Sequence, residues 1–411
     1  MSSSKYIILG GGMVAGYAAK ELAKLGLGSG ELLVISADDA LPYERPPLSK
    51  SFLSGKDKEA DVLINTSGWY AQQGIDVKLN TVIRDVDLKR RSLRAGSGEA
   101  FKFEYLLIAT GAQARKLDCP GNDLRNVFYL RSLDDSKKIR DFAASAKRAV
   151  VIGGGFIGME VASVLAQKSI ETSLILQEDR VWNRVFTPAM SKFFEQYYTA
   201  RGVRFLKEAA VGRLEGKEHV RGVILSSGDK IDCDMVVAGI GAAPVTEIFA
   251  KTGLEIDNGI VVNEYLETNQ VGVSAAGDVA NYVDKIFAKR RRVEHWDNAV
   301  SQSQHWASII RGERQPFVHL PYFFSDVFDL SYELWGDSHG ATETVVRGDV
   351  NSSSFSVWWL NGNRLIAAFA MNRPDEEREL APEWIKSRQQ ISRERLKDPN
   401  RSLKEATQAK I

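Results

Sequence analysis

The apolar positions of this chain change their period in a repeated order. "KYIILGGGMVAGYAAKELAKLG" opens with an unbroken apolar run from Tyr6 to Leu9, crosses a glycine turn and continues with Ala and Leu at helical spacing. That pattern predicts strand, turn and helix. A second run, "ELLVIS", predicts another strand and ends near the acidic "ADD". The order returns at "RAVVIGGGFIGMEVASVLAQKSIETSLILQEDR": a strand to Ile152, a glycine turn, a helix and a strand ending near Leu176. Later the pattern becomes aromatic and β-branched in "FSVWWLNGNRLIAAFAM", where Asn361 and Gly362 are expected to form a hairpin turn. After Pro374 it turns charged, and amphipathic helices with a mostly solvated charged face are expected on that sheet.

Composition narrows the class. A chain of 411 residues is too long for one core and should divide into two or three domains. No apolar run approaches the roughly 18 residues of a membrane span, so none is expected. "MSSSKYIILG" enters a strand directly, without a charged leader or apolar targeting segment, and cytoplasmic residence is the expectation. Cys119 and Cys233 are far apart and lack ligand spacing, and the five histidines are scattered, so neither disulfide nor metal site is expected. A net charge of +1 offers no global field for nucleic acid, and "KRRR" at Lys289–Arg292 reads as a solvated loop.

The turns carry the candidate chemistry. Gly10 and Gly12 permit a tight turn and close approach of backbone to a pyrophosphate, while Ala15 and Gly16 let the helix pack on the strand and aim its N-terminus at the phosphates. At the end of the second strand an acid can accept both hydroxyls of an adenosine ribose, and Asp38 is chosen over Asp39. Gly153, Gly155 and Gly158 repeat this arrangement. There the usual acidic position is Leu176; Glu178 is the nearest acid, with Arg180 and Arg184 close by. NADH bound through Glu178 is the expectation, with NADPH left open by the arginines. "YLLIATGAQAR" and "VGVSAAGDVAN" are further strands running into small-residue turns, the second followed by Asp278, placed to bond a ligand hydroxyl.

Taken together, these segments resemble the flavoprotein reductases with two dinucleotide folds, the pyridine nucleotide-disulfide oxidoreductase superfamily, over nearly the whole chain. The resemblance implies an α/β protein with two Rossmann-like, glutathione-reductase-like domains and a small α+β C-terminal domain. An FAD domain is expected from 1–112 and 240–316, discontinuous because Asp278 must return to the flavin. An NAD(P)H domain is expected at 113–239 and a C-terminal cap at 317–411. Gly10, Gly12, Ala15, Asp38, Arg45, Lys50, Val82, Ala109, Thr110, Gly111, Arg131, Asp278 and Trp296 are the implied FAD residues. Gly153, Gly155, Gly158, Glu160, Glu178 and Gly241 are the implied NAD(P)H residues. For Trp296 a plain core position is the competing reading, and for His295 a structural histidine competes with a proton carrier.

"LPYERPPLSKSFL" sharpens the resemblance. Disulfide reductases carry cysteines on the corresponding helix; this sequence has none, so the flavin must pass electrons directly to an external acceptor. Arg45 and Lys50 in this segment look like the branch of ferredoxin reductases, monodehydroascorbate reductases and apoptosis-inducing-factor relatives. The pattern implies that Lys50 and Glu160 form a catalytic ion pair near flavin N5. Monodehydroascorbate reductases use an Arg in "DHAR" and a Tyr in "PYFYSR", where this chain has Val300 and Phe324. "VEHWDNA" and "LKDPNRSLKEA" match ferredoxin reductases instead. The expected activity is therefore that of a ferredoxin–NAD+ reductase, with a small iron–sulfur protein as partner and Phe324 facing it. Monodehydroascorbate reduction and a redox-controlled interaction protein are the alternatives, and both a monomer and a homodimer remain open.

Overall fold

The computed structural model describes residues 2–28, 30–398 and 401–407. The chain forms two compact units, the first from 1–47, 57–113 and 242–319 and the second from 48–56, 114–241 and 320–411.

In the first unit, β1 (Ser2–Leu9) is central to a seven-stranded sheet. It pairs in parallel with β2 (Leu32–Ile35) on one side and with Ala100–Ile108 on the other. Its apolar run explains that place: Tyr6 to Leu9 and all of β2 are buried, as strands covered on both faces must be. Helix α1 (Met13–Lys24) connects the two strands. Strand Val273–Ala275 returns late in the chain to pair with Ala100–Ile108, and a short turn at Gly277–Val279 follows. Gly277 adopts φ 79°, and a Cβ there would lie 2.7 Å from Val14 Cγ2 of α1.

The Lys289–Arg292 cluster departs from the sequence expectation. Lys289–Arg291 is a strand antiparallel to Ala280–Asp284. Arg290 donates to the carbonyls of Val262 and Asn281 at 2.8 and 2.6 Å, and Arg291 Nε lies 3.0 Å from the buried carboxylate of Asp284. Arg292 pairs with Glu294 and donates to the Asp278 carbonyl. These guanidinium groups bond carbonyls and a buried acid, so the three arginines carry structural contacts although Lys289 and Arg290 are exposed.

The second unit contains a five-stranded parallel sheet in the order Val203–Leu206, β4, β3, Met235–Ala238, Val127–Tyr129. Here β3 is Arg148–Ile152, α2 is Phe156–Gln167 and β4 is Glu171–Ile175. The same unit holds a five-stranded antiparallel sheet, which begins with β5 (Tyr322–Val327) and β6 (Leu330–Gly336). Asn361 pairs with Arg364, so the hairpin turn is Gly362–Asn363 and not Asn361–Gly362. Gly362, at φ 59°, takes the first turn position, where glycine costs least.

The helix Asp375–Ser387 covers this sheet, but its charged face is not all solvated. Glu377 is 2% exposed. It accepts from Arg347 Nε at 3.0 Å and Arg373 Nη2 at 2.6 Å. Arg347 also donates to the carbonyls of Leu396, Asp398 and Arg401 at 3.1, 2.6 and 2.5 Å, tying the last segment to the sheet. Pro399 and Asn400 of "LKDPNRSLKEA" lie outside the described residues. Among the described residues no helix is long and apolar enough to cross a membrane, and no group of three or more His, Cys, Asp or Glu is placed to hold a metal.

Because Glu377 is the carboxylate of the buried Arg347 and the half-buried Arg373, Glu377→Ala is expected to lower unfolding free energy by about 3 kcal/mol. Glu379→Ala, on the exposed side of the same helix, should stay within about 0.5 kcal/mol. Urea denaturation compares the two.

Candidate active site

In the first unit the residues expected to hold a dinucleotide gather at the carboxyl ends of β1 and β2. Gly10 has φ 136°, and a Cβ there would lie 2.0 Å from the Ala109 carbonyl oxygen. Packing of the turn requires this glycine. Gly12 differs, since its nearest neighbour would be Arg45 Nη2 at 3.5 Å. The space beside it faces a guanidinium group at a helix N-terminus, an arrangement suited to an anion. Ala15 is fully buried. Asp38 is half-buried and Asp39 exposed. The Asp38 carboxylate accepts from Tyr43 Oη at 2.7 Å, and the Arg45 N–H donates to Met13 Sδ at 3.4 Å. Thr110 Oγ1 donates to the Val245 carbonyl at 2.9 Å and Gly111 has φ 66°. Val82 is exposed, its carbonyl accepting from the Gly96 N–H. Asp278 is half-buried in the turn after Val273–Ala275.

Trp296 opens the helix Trp296–Ile310, and His295 caps it by accepting from the Asp297 N–H, which favours the structural reading of that histidine. The Trp296 indole Nε1 donates to Glu44 Oε2 at 2.6 Å, and Tyr17 Oη donates to Glu44 Oε1 at 2.5 Å. Burial, then the bond to this carboxylate, pushes the Tyr17 phenol well above its ordinary range. Sequence reasoning passed over Glu44 and Tyr17. The available signal was an acid between Tyr43 and Arg45, but its partner Trp296 lies 252 positions away.

In the second unit the glycines again separate by what they meet. Gly153 has φ 111°, with a would-be Cβ 2.3 Å from the Gly239 carbonyl oxygen, and a Cβ on Gly158 would lie 1.9 Å from the Gly153 carbonyl oxygen. A Cβ on Gly155 would meet nothing within 4 Å. The fold therefore demands Gly153 and Gly158, and Gly155 leaves open space before α2. The two glycines that backbone packing does not require, Gly12 and Gly155, are those the motif sets against a pyrophosphate. Both turns thus fit a dinucleotide.

Leu176 follows β4 and packs on Gly154, which accounts for an apolar residue at the strand end. Glu178 is half-buried two residues on. Arg180 donates to Asp179 at 2.9 Å and to the Asn183 carbonyl at 3.0 Å, while Arg184 is exposed. Gly241 has φ 102° and its carbonyl accepts from the Arg115 N–H at 2.9 Å. The Arg131 N–H donates to Asp135 at 3.0 Å, at the cap of Leu133–Ala143.

The second unit also brings Lys50 and Glu160 together. Glu160, on α2, is 4% exposed. Its Oε1 lies 2.7 Å from Lys50 Nζ and accepts from Ser325 Oγ at 2.5 Å; its Oε2 accepts from Ser49 Oγ at 2.5 Å. Lys50 Nζ stands 5.8 Å from the centroid of the half-buried Phe324 ring. Nearby Tyr198 and Tyr332 are pushed above the ordinary phenol range by burial, with the Glu160 carboxylate adding to the effect. Ser49 and Ser325 were not legible as site residues, although one precedes Lys50 and the other follows Phe324. A short hydroxyl side chain carries no sequence mark of its acceptor. Chemically, the cluster offers an ammonium group anchored to a fixed carboxylate, able to meet negative charge beside it.

Residues 4–303 match the family described as pyridine nucleotide-disulphide oxidoreductase, and residues 322–407 the one described as reductase C-terminal. The monodehydroascorbate reductase of Solanum lycopersicum is 37% identical over 401 residues, covering 91% of this chain and 92% of that protein. The peroxisomal monodehydroascorbate reductase 4 of Arabidopsis thaliana is 36% identical over 399 residues, 91% of this chain and 80% of its own. A chain in the crystal structure of the covalent putidaredoxin reductase–putidaredoxin complex superposes with a TM-score of 0.94 at 30% identity, covering 98% of both chains. A ferredoxin reductase from Rhodopseudomonas palustris gives 0.93 at 31%, covering 99% of this chain and 100% of that one.

The contrast between the glycines is testable. Gly158→Ala is expected to cost about 3 kcal/mol of stability through overpacking. Gly155→Ala should melt like the parent protein and bind NAD+ about tenfold more weakly, a loss of about 1.4 kcal/mol. Thermal melts with NAD+ titrations compare them.

Proposed function

The chain belongs to the pyridine nucleotide-disulphide oxidoreductase family and is an FAD-dependent oxidoreductase that uses a nicotinamide nucleotide; from that premise we propose that its electrons leave for a small iron–sulfur protein of the ferredoxin type. The observation that carries this reading is the segment 46–53, "PPLSKSFL", which places Lys50 and Ser49 on Glu160 and holds no cysteine. Without a thiol in this segment, electrons pass directly from cofactor to acceptor. When bound, FAD supplies the conversion of one hydride into two single-electron transfers.

The chain's own residues perform the remaining tasks. Gly12, Arg45 and Asp38 would hold the FAD pyrophosphate and ribose, and Gly155 the nicotinamide nucleotide. Lys50 would supply positive charge for the negative charge that reduction places on the flavin, and Glu160, held by both serines, keeps the ammonium in place. NADH is preferred in this reading, because Glu178 is available to ribose hydroxyls while Arg180 is already held by Asp179 and the Asn183 carbonyl. Cytoplasmic residence belongs to the same proposal, supported by Cys119 and Cys233 as free thiols.

A specific observation favours monodehydroascorbate reduction as the second reading: the curated relatives with 36–37% identity are such reductases. Against it, Val300 is buried and apolar where that family uses an arginine, and Phe324 lacks the phenol. A small acidic substrate would lose both polar contacts, which ordinarily costs orders of magnitude in discrimination.

Lys50→Met is expected to slow flavin reduction by NADH roughly 10²-fold in stopped-flow absorbance, and an unchanged rate removes the assigned role. Reoxidation of the reduced enzyme should be faster with small iron–sulfur proteins than with ascorbyl radical or quinones. Faster reoxidation by ascorbyl radical would establish the second reading.

A further inference from the structure

Ser325 follows Phe324, the ring that the resemblance set toward the partner, yet it is Ser325 that is bonded to Glu160. The alternation of β5 explains this. Phe323 stacks on Phe156 of α2 with ring centroids 6.0 Å apart, and Ser325 donates to Glu160 of α2, so the face carrying Phe323 and Ser325 looks toward that helix. Tyr322 and Phe324, with centroids 6.1 Å apart, share the other face.

The strand is attached to α2 at a second point. Val327 pairs with Leu330, leaving Phe328 and Asp329 as the turn between β5 and β6. Phe328 adopts φ 54°, a left-handed conformation that costs a bulky residue energy. Two contacts hold it there: its N–H donates to Ser163 Oγ at 2.8 Å, and its ring lies 4.8 Å from that of Tyr198. Glu160 and Ser163 are three residues apart and so share one face of α2. The hairpin therefore grips α2 through Ser325 on Glu160 and through Phe328 on Ser163. A slip of one residue in β5 would turn the Ser325 hydroxyl to the opposite face.

We propose that Ser325 is a positioning residue for hydride transfer, fixing the Glu160 oxygen that Lys50 shares and so setting where the Lys50 ammonium stands. This rests on the role assigned above to the Lys50–Glu160 pair. Ser49 holds Oε2 alone, and a carboxylate anchored at one oxygen can still turn about that anchor. Ser325 stops the rotation at Oε1, the atom on which Lys50 rests. The hydroxyl is fully buried and its single proton is directed to Glu160, so no water can take its place without opening the strand from the helix. One strand thereby carries the hydroxyl that orients the ion pair and, on its other face, the ring beside Lys50.

The test compares Ser325→Ala, Ser325→Thr, Ser163→Ala and Lys50→Met, using FAD-loaded protein for stopped-flow reduction by NADH and for the midpoint potential of the bound flavin. Melting of the apoproteins measures the structural cost of each change. Ser325→Ala should slow reduction about tenfold, the order expected when a hydrogen bond to a charged group is lost, and should lower the potential. Ser325→Thr should restore both. Ser163→Ala removes the other attachment and should lower the melting temperature comparably while leaving rate and potential within twofold. Equal rates and potentials in Ser325→Ala and Ser163→Ala, with Lys50→Met still slow, would overturn the positioning role alone. An unchanged rate in Lys50→Met would overturn the ion-pair reading and this proposal with it.

Discussion

A carboxylate buried to 4% exposure cannot stand without donors, and Glu160 finds them in chain segments far apart. Ser49 and Lys50 come from a short segment early in the chain, Glu160 from the helix after the second glycine turn, and Ser325 from the first strand of the C-terminal sheet. Any arrangement that left one segment away would bury a charge with part of its shell missing, a cost of several kcal/mol. The requirement is mutual. The ammonium group keeps a defined place because the carboxylate does, and the carboxylate does because two hydroxyls hold its two oxygens.

The glycine turns obey a different constraint. Gly10, Gly153 and Gly158 are glycine because another stretch of backbone occupies the place of a side chain. Gly12 and Gly155 have no such neighbour, and what they keep clear is room at the N-termini of α1 and α2. One repeated motif thus contains positions that backbone packing requires to be glycine and positions that it leaves open. The sequence letter is the same for both.

Much of the fold was legible because strands covered on both faces read as unbroken apolar runs, as residues 6–9 and 149–152 do, and because helical spacing follows each glycine turn. The pairing of Lys50 with Glu160 became legible only through resemblance to known reductases. What stayed hidden shares a physical reason: the partners are distant and the residues unremarkable. Ser325 reaches Glu160 across 165 positions and Trp296 reaches Glu44 across 252. The charged stretches misled in the opposite direction. Arg290, Arg291, Arg347 and Glu377 look like solvated charge in the sequence, but each is bonded to a carbonyl or an oppositely charged partner within its own unit. The hairpin turn moved by one residue because Asn361 was needed in the ladder.

The alternating faces of β5 also bear on how such a protein can change over time. On the face away from Glu160 only Asp326 is exposed, since Tyr322 donates to Glu333 at 2.7 Å and Phe324 stands beside Lys50, so point substitution is least constrained at Asp326. An insertion or deletion of a single residue between Pro321 and Ser325 would exchange the two faces, presenting a ring to Glu160 and a hydroxyl to the outside. Lineages carrying this strand are therefore expected to vary Asp326 more readily than its neighbours while keeping the length of the strand fixed.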